Sequence, residues 1–111
     1  MEEFFATNSQ QQIINRIFSL NLGLLCIVNI DGGFEKVNSS WEKTFGYTAA
    51  ELSDSNIIEY AHPDDRDATA FVFSELLLTS HRLTFSNRFR AKDGSYRYID
   101  WEFNRHDNYA Y

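Results

Sequence analysis

The last third of the chain alternates apolar and polar residues with a period of two, on either side of a tight turn. One face of the first run is apolar except for a single amide: Leu83, Phe85, Asn87, Phe89 and Ala91. After the turn Lys92-Asp93-Gly94, the second run places Ile99, Trp101 and Phe103 on one face. Successive side chains of a strand point to opposite faces, and Asp-Gly is a strong hairpin signal. The pattern therefore predicts an antiparallel hairpin with one face in a core.

The N-terminal part of the chain predicts a helix followed by a second hairpin. Ser9 and Gln12 have the spacing of a capping box. The apolar residues that follow gather on one helical face: Ile13, Ile14, Ile17, Phe18 and Leu20. Residues 24–30 then form an apolar run of strand length, which stops at the turn signal Asp31-Gly32-Gly33. Residues 34–37 are expected to return as the second strand.

Short helices are expected between the two hairpins. Capping boxes begin at Ser39 and Thr48, and Gly46 should end the first of these helices. The segment His62-Pro63-Asp64-Asp65 predicts the start of the longest helix, with proline and acidic residues in its first turn. That helix should run to about Leu78 and bury one face: Ala68, Phe71, Val72 and Leu76. This order of elements is typical of an α+β domain.

The composition is that of one folded acidic domain. The 111 residues are 43% hydrophobic and 16% aromatic, which suits a single core and excludes a disordered chain. The net charge of −6 argues against a nucleic-acid partner, because neutralising phosphates requires clustered Lys and Arg. No apolar run approaches the roughly 20 residues that span a bilayer, so no membrane insertion is expected in this segment. The single cysteine, Cys26, rules out an internal disulfide, and a cytoplasmic location is expected.

The order of these elements and their motifs resembles the PAS fold, in particular its bacterial subgroup with an HPDD motif. The residues that carry the resemblance are Asp31-Gly32, Asn38, Gly46-Tyr47, Glu51-Leu52, His62-Pro63-Asp64-Asp65-Arg66, Lys92-Asp93-Gly94-Ser95-Tyr96-Arg97 and Trp101. None of these residues is specific to the PAS fold alone, but the order in which they occur over residues 24–103 is specific to it. The resemblance implies a five-stranded antiparallel sheet of order 2-1-5-4-3, with short helices and one long helix on one face. It divides the chain into an N-terminal amphipathic helix, residues 1–22, and a PAS core, residues 23–111, whose last strand is short or truncated.

The same resemblance implies a sensory module of a larger bacterial signalling protein, such as a sensor histidine kinase or a diguanylate cyclase. The module would sense a small molecule or relay a conformational change to a covalently linked C-terminal effector. The alternative is a ligand-free module for protein–protein interaction and dimerisation. The sequence has neither a phosphate-binding glycine loop nor a nucleophile–histidine–acid arrangement, so no enzymatic activity is expected.

No cofactor is predicted. The flavin-binding branch of PAS, the light-oxygen-voltage domains, carries a reactive cysteine before the long helix, where this sequence reads Asp54-Ser55-Asn56-Ile57-Ile58. Phe89 and Ile99 stand where that branch has asparagines, so flavin is disfavoured. Haem-binding PAS domains offer a histidine from the long helix or its surroundings. Residues 63–78 contain none and only His81 lies near, so haem is disfavoured too.

Two further polar features have structural explanations. Cys26 lies on the first predicted strand, where a cysteine usually behaves as a small buried hydrophobe. His62, Asp64 and Asp65 are residue types that bind metals. Their position at a helix start favours capping instead, with the Asp side chains accepting from unpaired backbone N–H groups. No metal site is predicted.

The aromatic residues of sheet and helices are expected to point into one interior. That interior is either an apolar ligand pocket with Asn87 as its polar handle, or a completely filled core. The filled core is favoured, because a small domain needs its aromatic residues for stability. The residues concerned are Val28, Trp41, Phe45, Ile57, Phe71, Phe85, Asn87, Phe89, Ile99 and Trp101.

The first strand is apolar on both faces, with Leu25 and Ile27 opposite to Cys26 and Val28. Because the helices of a PAS domain cover one face of the sheet, the outer face needs another cover. The N-terminal helix of the same chain or of a second copy is the natural candidate. We expect a homodimer through that helix and the outer sheet face, with these residues in the interface: Ile13, Ile14, Ile17, Phe18, Leu25, Ile27 and Tyr98.

Overall fold

The structure is a computed structural model that describes residues 8–20, 23–78, 82–106 and 109–110. Its elements in chain order are α1 (Asn8–Ser19), β1 (Cys26–Asn29), β2 (Phe34–Val37), α2 (Ser40–Phe45), α3 (Ala49–Ser53), α4 (Ile57–Tyr60), α5 (Arg66–Leu78), β3 (Arg82–Arg90), β4 (Tyr96–His106) and β5 (Tyr109–Ala110). A single 3-10 turn, Pro63–Asp65, leads directly into α5. This is the predicted order of helix, hairpin, short helices, long helix and meander.

The strands within the described ranges form one antiparallel sheet in the order β2-β1-β5-β4-β3, as predicted. β3 and β4 pair along their length, from Arg82 opposite Asn104 to Arg90 opposite Tyr96. β5 lies between the two hairpins and has two residues. Its Ala110 pairs with Val28 of β1 on one side and with Arg105 of β4 on the other.

The turns and helix ends follow the sequence signals in most places. Gly46 ends α2 in the left-handed conformation, at a φ of 88°. Thr48 and Glu51 form the predicted capping box at α3. The box predicted at Ser39 is wrong, because Ser39 already has helical backbone angles and its side chain makes no cap hydrogen bond. Ser9, which was predicted to begin a capping box, lies inside α1, and the Ser9 side chain is not among those that the structure describes.

The core lies between the inner face of the sheet and the helices, and its centre is Phe89. The Phe89 ring centroid lies 4.9 Å from that of Phe45, 5.0 Å from that of Tyr60 and 5.4 Å from that of Trp41. Tilted and stacked rings at these distances contribute stability beyond the area they bury. The alternating residues of β3 and β4 therefore pack as the period-two pattern predicted.

α5 turns a different face to the core from the one its apolar residues predicted. Thr69 and Phe73 are buried, whereas Ala68 and Phe71 are exposed and Val72 is half-buried. Apolar residues lie on several sides of α5, so its periodicity does not select one face. A hydrogen bond from the sheet holds the Thr69 side of α5 against the core, because Asn87 Nδ2 of β3 donates to Thr69 Oγ1 at 3.1 Å. The Thr69 hydroxyl donates to the Asp65 carbonyl at 2.7 Å, so it is paired when buried. The side chain of Leu76, assigned to the same face, lies outside the described residues.

Candidate functional site

The structure brings most of the predicted pocket residues together, and they pack directly against one another. The predicted pocket residues that belong to the buried cluster are Val28, Trp41, Phe45, Ile57, Phe89, Ile99 and Trp101. Phe85 packs against this cluster and stacks on Trp101 with ring centroids 5.9 Å apart. Phe71 is 62% exposed on the outer side of α5, so its assignment to the pocket was wrong. Ring-on-ring contact of this kind is the packing of a filled core.

Asn87 is buried, at 3% exposed, but it is not an available polar handle. Its Oδ1 accepts from Trp101 Nε1 at 2.8 Å, and its Nδ2 donates to Thr69 Oγ1 at 3.1 Å. Thr69 in turn donates to the Asp65 carbonyl. A buried polar group must be paired, and these bonds use the Asn87 amide to join β3, β4 and α5.

The same chain of bonds ends at an ion pair that sequence reasoning missed. Arg88 Nε and Nη2 donate to the Asp65 carboxylate at 2.9 Å and 2.8 Å, and the backbone N–H of Arg88 donates to it at 2.9 Å. These hydrogen bonds from Arg88 lower the pKa of Asp65 to about 2, and the carboxylate raises the pKa of Arg88. Asp65 therefore does not cap the helix as predicted. His62 does, since its Nδ1 accepts from the N–H of Asp64 at 3.1 Å.

A second unpredicted ion pair fixes the turn between β3 and β4. Lys92 Nζ lies 2.9 Å from Glu51 Oε2, and the backbone N–H of Lys92 donates to the Phe45 carbonyl at 2.8 Å. Nearby, the Tyr47 hydroxyl donates to the Arg90 carbonyl at 2.9 Å. The short helices and the hairpin are thus joined at the turn that carries the Lys-Asp-Gly motif.

The part of the chain that the structure describes contains no group of residues that is suited to a metal ion. Among the side chains that it describes, no three or more of His, Cys, Asp and Glu are placed to hold one. Phe89 and Ile99, at the positions where the flavin-binding branch has asparagines, are core residues. His81, the one histidine considered for haem, lies outside the described residues.

An apolar cavity of about 570 Å³ lies in a place that was not predicted, between α1 and the sheet. β1 and β4 supply its walls and α1 covers it on the outer side. The residues that line it are Ile14, Ile17, Phe18, Leu24, Leu25, Cys26, Ile27, Ile99, Asp100, Trp101, Glu102 and Phe103. Cys26 is half-buried here, packed against the core as a small hydrophobe, and burial raises the pKa of its thiol to about 12.

α1 covers the outer face of its own sheet. Lys36 Nζ lies 5.4 Å from the centroid of the Phe18 ring, and Lys36 is the β2 partner of Ile27. Ile27 is 1% exposed without any second copy, so the prediction that it lies in a dimer interface was wrong. Ile14, Phe18 and Leu25 are half-buried. The remaining predicted interface residues are exposed: Ile13, Ile17 and Tyr98.

Residues 34–108 match the family model that is described as PAS fold. The chain belongs to the PAS family. Its structure is similar to a domain of the sensory box sensor histidine kinase/response regulator from Geobacter sulfurreducens, with a TM-score of 0.78 and 14% identity over 98% of this chain and 93% of that one. It is also similar to the PAS domain of the RpfR quorum-sensing receptor from Cronobacter turicensis in complex with BDSF. That TM-score is 0.70, with 12% identity over 78% of this chain and 85% of that chain.

A curated relative comes from a different kind of protein. The PAS domain is 37% identical to Basic helix-loop-helix ARNT-like protein 2 of Gallus gallus over 68 residues, and this matched segment covers 60% of the chain. The match spans 11% of that protein, so the chain corresponds to a small part of the relative.

PAS domains are sensory and regulatory modules of signalling proteins and are not catalytic in themselves. None of the helices within the described ranges has the length and apolar character required to cross a bilayer.

Proposed function

We propose that this PAS domain is the sensory and relay module of a larger cytoplasmic bacterial signalling protein, such as a sensor histidine kinase or a diguanylate cyclase. It passes a change of conformation through its sheet to a covalently linked effector. The observation that carries the proposal is the packed interior around Phe89. A small molecule could enter there only by displacing core side chains, which favours relay over sensing of an interior ligand. The motif residues His62–Arg66 and Lys92–Arg97 support the bacterial assignment.

The hydrogen bonds of the interior provide a path for the relay. Asp65 and Thr69 stand at the start of α5, and they bond to the neighbouring β3 residues Arg88 and Asn87. Asn87 bonds onward to Trp101 of β4, the strand that pairs with β5. A displacement of α5 therefore moves the groups in β3 and β4 that are bonded to it or to one another.

The relay is tested by Thr69→Ala, which removes the middle link of this path. We expect NMR shifts to change at the Asn87 amide and the Trp101 indole N–H, and along β4 towards β5. Ser74→Ala on the exposed side of α5 is the matched control, and its shift changes should stay local. Changes confined to α5 in the Thr69→Ala variant would contradict the relay.

The exposed apolar residues of α1 favour homodimerisation as a second function. Ile13 and Ile17 of α1, and Leu20 directly after it, are spaced to share one side, and Ile13 is 59% exposed. Since α1 already covers its own sheet, a second copy would meet this outer stripe of α1. A stripe of large apolar side chains on a short helix is costly to leave in water.

The dimer is tested by light scattering on the full chain. Ile13→Glu places a charge in the stripe and should give the monomer mass, whereas Gln12→Glu, at an exposed neighbouring position, should leave the dimer intact. An unchanged mass for Ile13→Glu would show that the α1 stripe does not hold two copies together.

A further inference from the structure

The imidazole of His62 closes the 3-10 turn that leads into α5. Its Nδ1 accepts a hydrogen bond from the backbone N–H of Asp64 at 3.1 Å. A ring nitrogen that accepts carries no proton, so this contact belongs to the neutral imidazole with its proton on Nε2. The usual capping residues are serine, threonine, aspartate and asparagine, and none of them changes its charge near neutral pH. The cap of this turn therefore depends on a side chain that can take up a proton.

The His62 side chain is 27% exposed, so it exchanges protons with the solvent, and charged groups of both signs surround it. Asp64 Oδ2 lies 3.9 Å from His62 Nδ1 and 4.0 Å from Arg88 Nη2. The Tyr96 ring packs against the imidazole, with ring centroids 4.8 Å apart. The titratable or charged side chains that the turn, α5, β3 and β4 place around His62 are Asp64, Asp65, Arg66, Arg88 and Tyr96.

Protonation reverses the hydrogen-bonding role of Nδ1. An imidazolium donates from both ring nitrogens, so Nδ1 can no longer accept from the Asp64 N–H. The carboxylate of Asp65 is already bonded to the guanidinium of Arg88. The Asp64 carboxylate, 3.9 Å away, comes within reach by a small rotation of either side chain and accepts a charge-assisted bond from Nδ1–H. The proton thus exchanges a bond to the backbone of Asp64 for a bond to its side chain.

The backbone of His62 joins the turn to the sheet. Its N–H donates to the Arg88 carbonyl at 2.9 Å, and its carbonyl accepts from the Asp65 N–H at 2.7 Å. Asp65 and Arg88 form the ion pair that fixes the start of α5 to β3. A rearrangement of the turn at His62 therefore moves backbone groups that are bonded to both members of this pair.

We propose that the signal sensed at this turn is the proton, with His62 as the sensor. The neutral imidazole caps the turn, and the imidazolium releases the Asp64 N–H and binds the Asp64 carboxylate. Imidazole is the side chain whose ordinary pKa, about 6.5, puts its change of charge between pH 5 and 8. The transmission of this signal rests on the relay proposed above, whereas the switch of the cap does not.

The experiment is an NMR titration of the full chain from pH 8 to pH 5, a range above that in which carboxyl groups ordinarily titrate. It follows the ring protons of His62, the backbone N–H of Asp64 and the indole N–H of Trp101. His62→Asn is the matched variant, because its side-chain oxygen can cap the turn but takes up no proton. His81→Gln/His106→Gln removes the other two histidines of the sequence and keeps His62.

We expect the Asp64 N–H resonance to move upfield and to lose its protection from hydrogen exchange, relative to the intrinsic rate at each pH, as its bond to Nδ1 breaks. The midpoint should equal that of the His62 ring, and the Trp101 indole should follow. The double histidine variant should respond in the same way, whereas in His62→Asn both N–H resonances should keep their positions.

An Asp64 N–H that stays in place and protected while the His62 ring titrates would overturn the switch. The same movement in His62→Asn would overturn it as well, because that variant has no imidazole at the turn. Movement at Asp64 with an unchanged Trp101 indole would uphold the switch and contradict the relay.

Discussion

The carboxylate of Asp65 accepts hydrogen bonds from the guanidinium and from the backbone N–H of Arg88, at distances of 2.8 to 2.9 Å. Asp65 precedes α5 and Arg88 lies within β3, so one side chain fixes the helix start to the sheet. The preceding residue of β3, Asn87, joins the same helix through Thr69. Together these bonds set the orientation of α5 against the core.

Asp65→Asn is expected to remove part of the acid sensitivity of the fold. Hydrogen bonds from Arg88 hold the pKa of Asp65 at about 2, below the ordinary value of 3.8. A carboxylate whose pKa is lowered by folding stabilises the protein above its unfolded pKa, and this contribution is lost as pH falls from about 4 towards 2. Thermal melts across this range should show a variant that is less stable at neutral pH but loses less stability on acidification.

The control for this prediction is Asp31→Asn, which neutralises an exposed carboxylate in the β1–β2 turn. Its melting temperature should follow that of the unmodified chain at each pH. Parallel curves for Asp65→Asn and the unmodified chain would show that the Arg88 pair contributes nothing to the acid response.

The sequence contained enough information to predict the fold. Turns at Gly32 and Gly94 and the period-two runs around them define two hairpins, because each signal acts over a few neighbouring residues. The split of β1 into Val28 inside and Ile27 outside also followed from alternation. The sheet order came from the resemblance to the PAS family, and the structure has that order.

The candidate site was less predictable, because it depends on contacts between distant residues. The pairing of Asp65 with Arg88 joins residues 23 positions apart, and no local pattern indicates it. The exposure of Phe71 depends on how α5 is rotated about its axis, and the bond from Asn87 to Thr69 holds the opposite side of α5 against the sheet. The cavity beside Cys26 depends on how α1 packs over β1 and β4. Composition and periodicity contain none of these quantities.

Asn87→Leu should lower the free energy of unfolding by about 1–3 kcal/mol, because it leaves the buried Trp101 Nε1 without its acceptor. The double variant Asn87→Leu/Trp101→Phe removes both partners and should lose less than the sum of the two single changes. Urea unfolding of all four proteins measures the coupling. Strict additivity would mean that the bond between these two side chains does not stabilise the fold.

Phe89→Ala should cost about 3–5 kcal/mol, the range for deleting a fully buried aromatic ring. Phe71→Ala removes the same atoms from an exposed position and should stay within about 0.5 kcal/mol of the unmodified chain. Both values are read from denaturant unfolding. A large loss of unfolding free energy in Phe71→Ala would show that Phe71 packs in the interior after all.

The purified protein should be colourless. Phe89 and Ile99 present no amide to a flavin ring, and residues 63–78 include no histidine to bind haem iron. An absorbance spectrum of freshly purified protein checks both cofactors at once. A blue-absorbing flavin band or a Soret band would contradict the prediction.

Native mass spectrometry of the purified chain tests most directly whether the interior is closed. The Phe45 and Phe89 rings lie 4.9 Å apart in the interior, and Asn87 is bonded to Trp101 and Thr69. We therefore expect the mass of the polypeptide alone, or of whole multiples of it. A small molecule retained at one per chain, and released when the protein unfolds, would contradict the closed interior and make this PAS domain a ligand sensor.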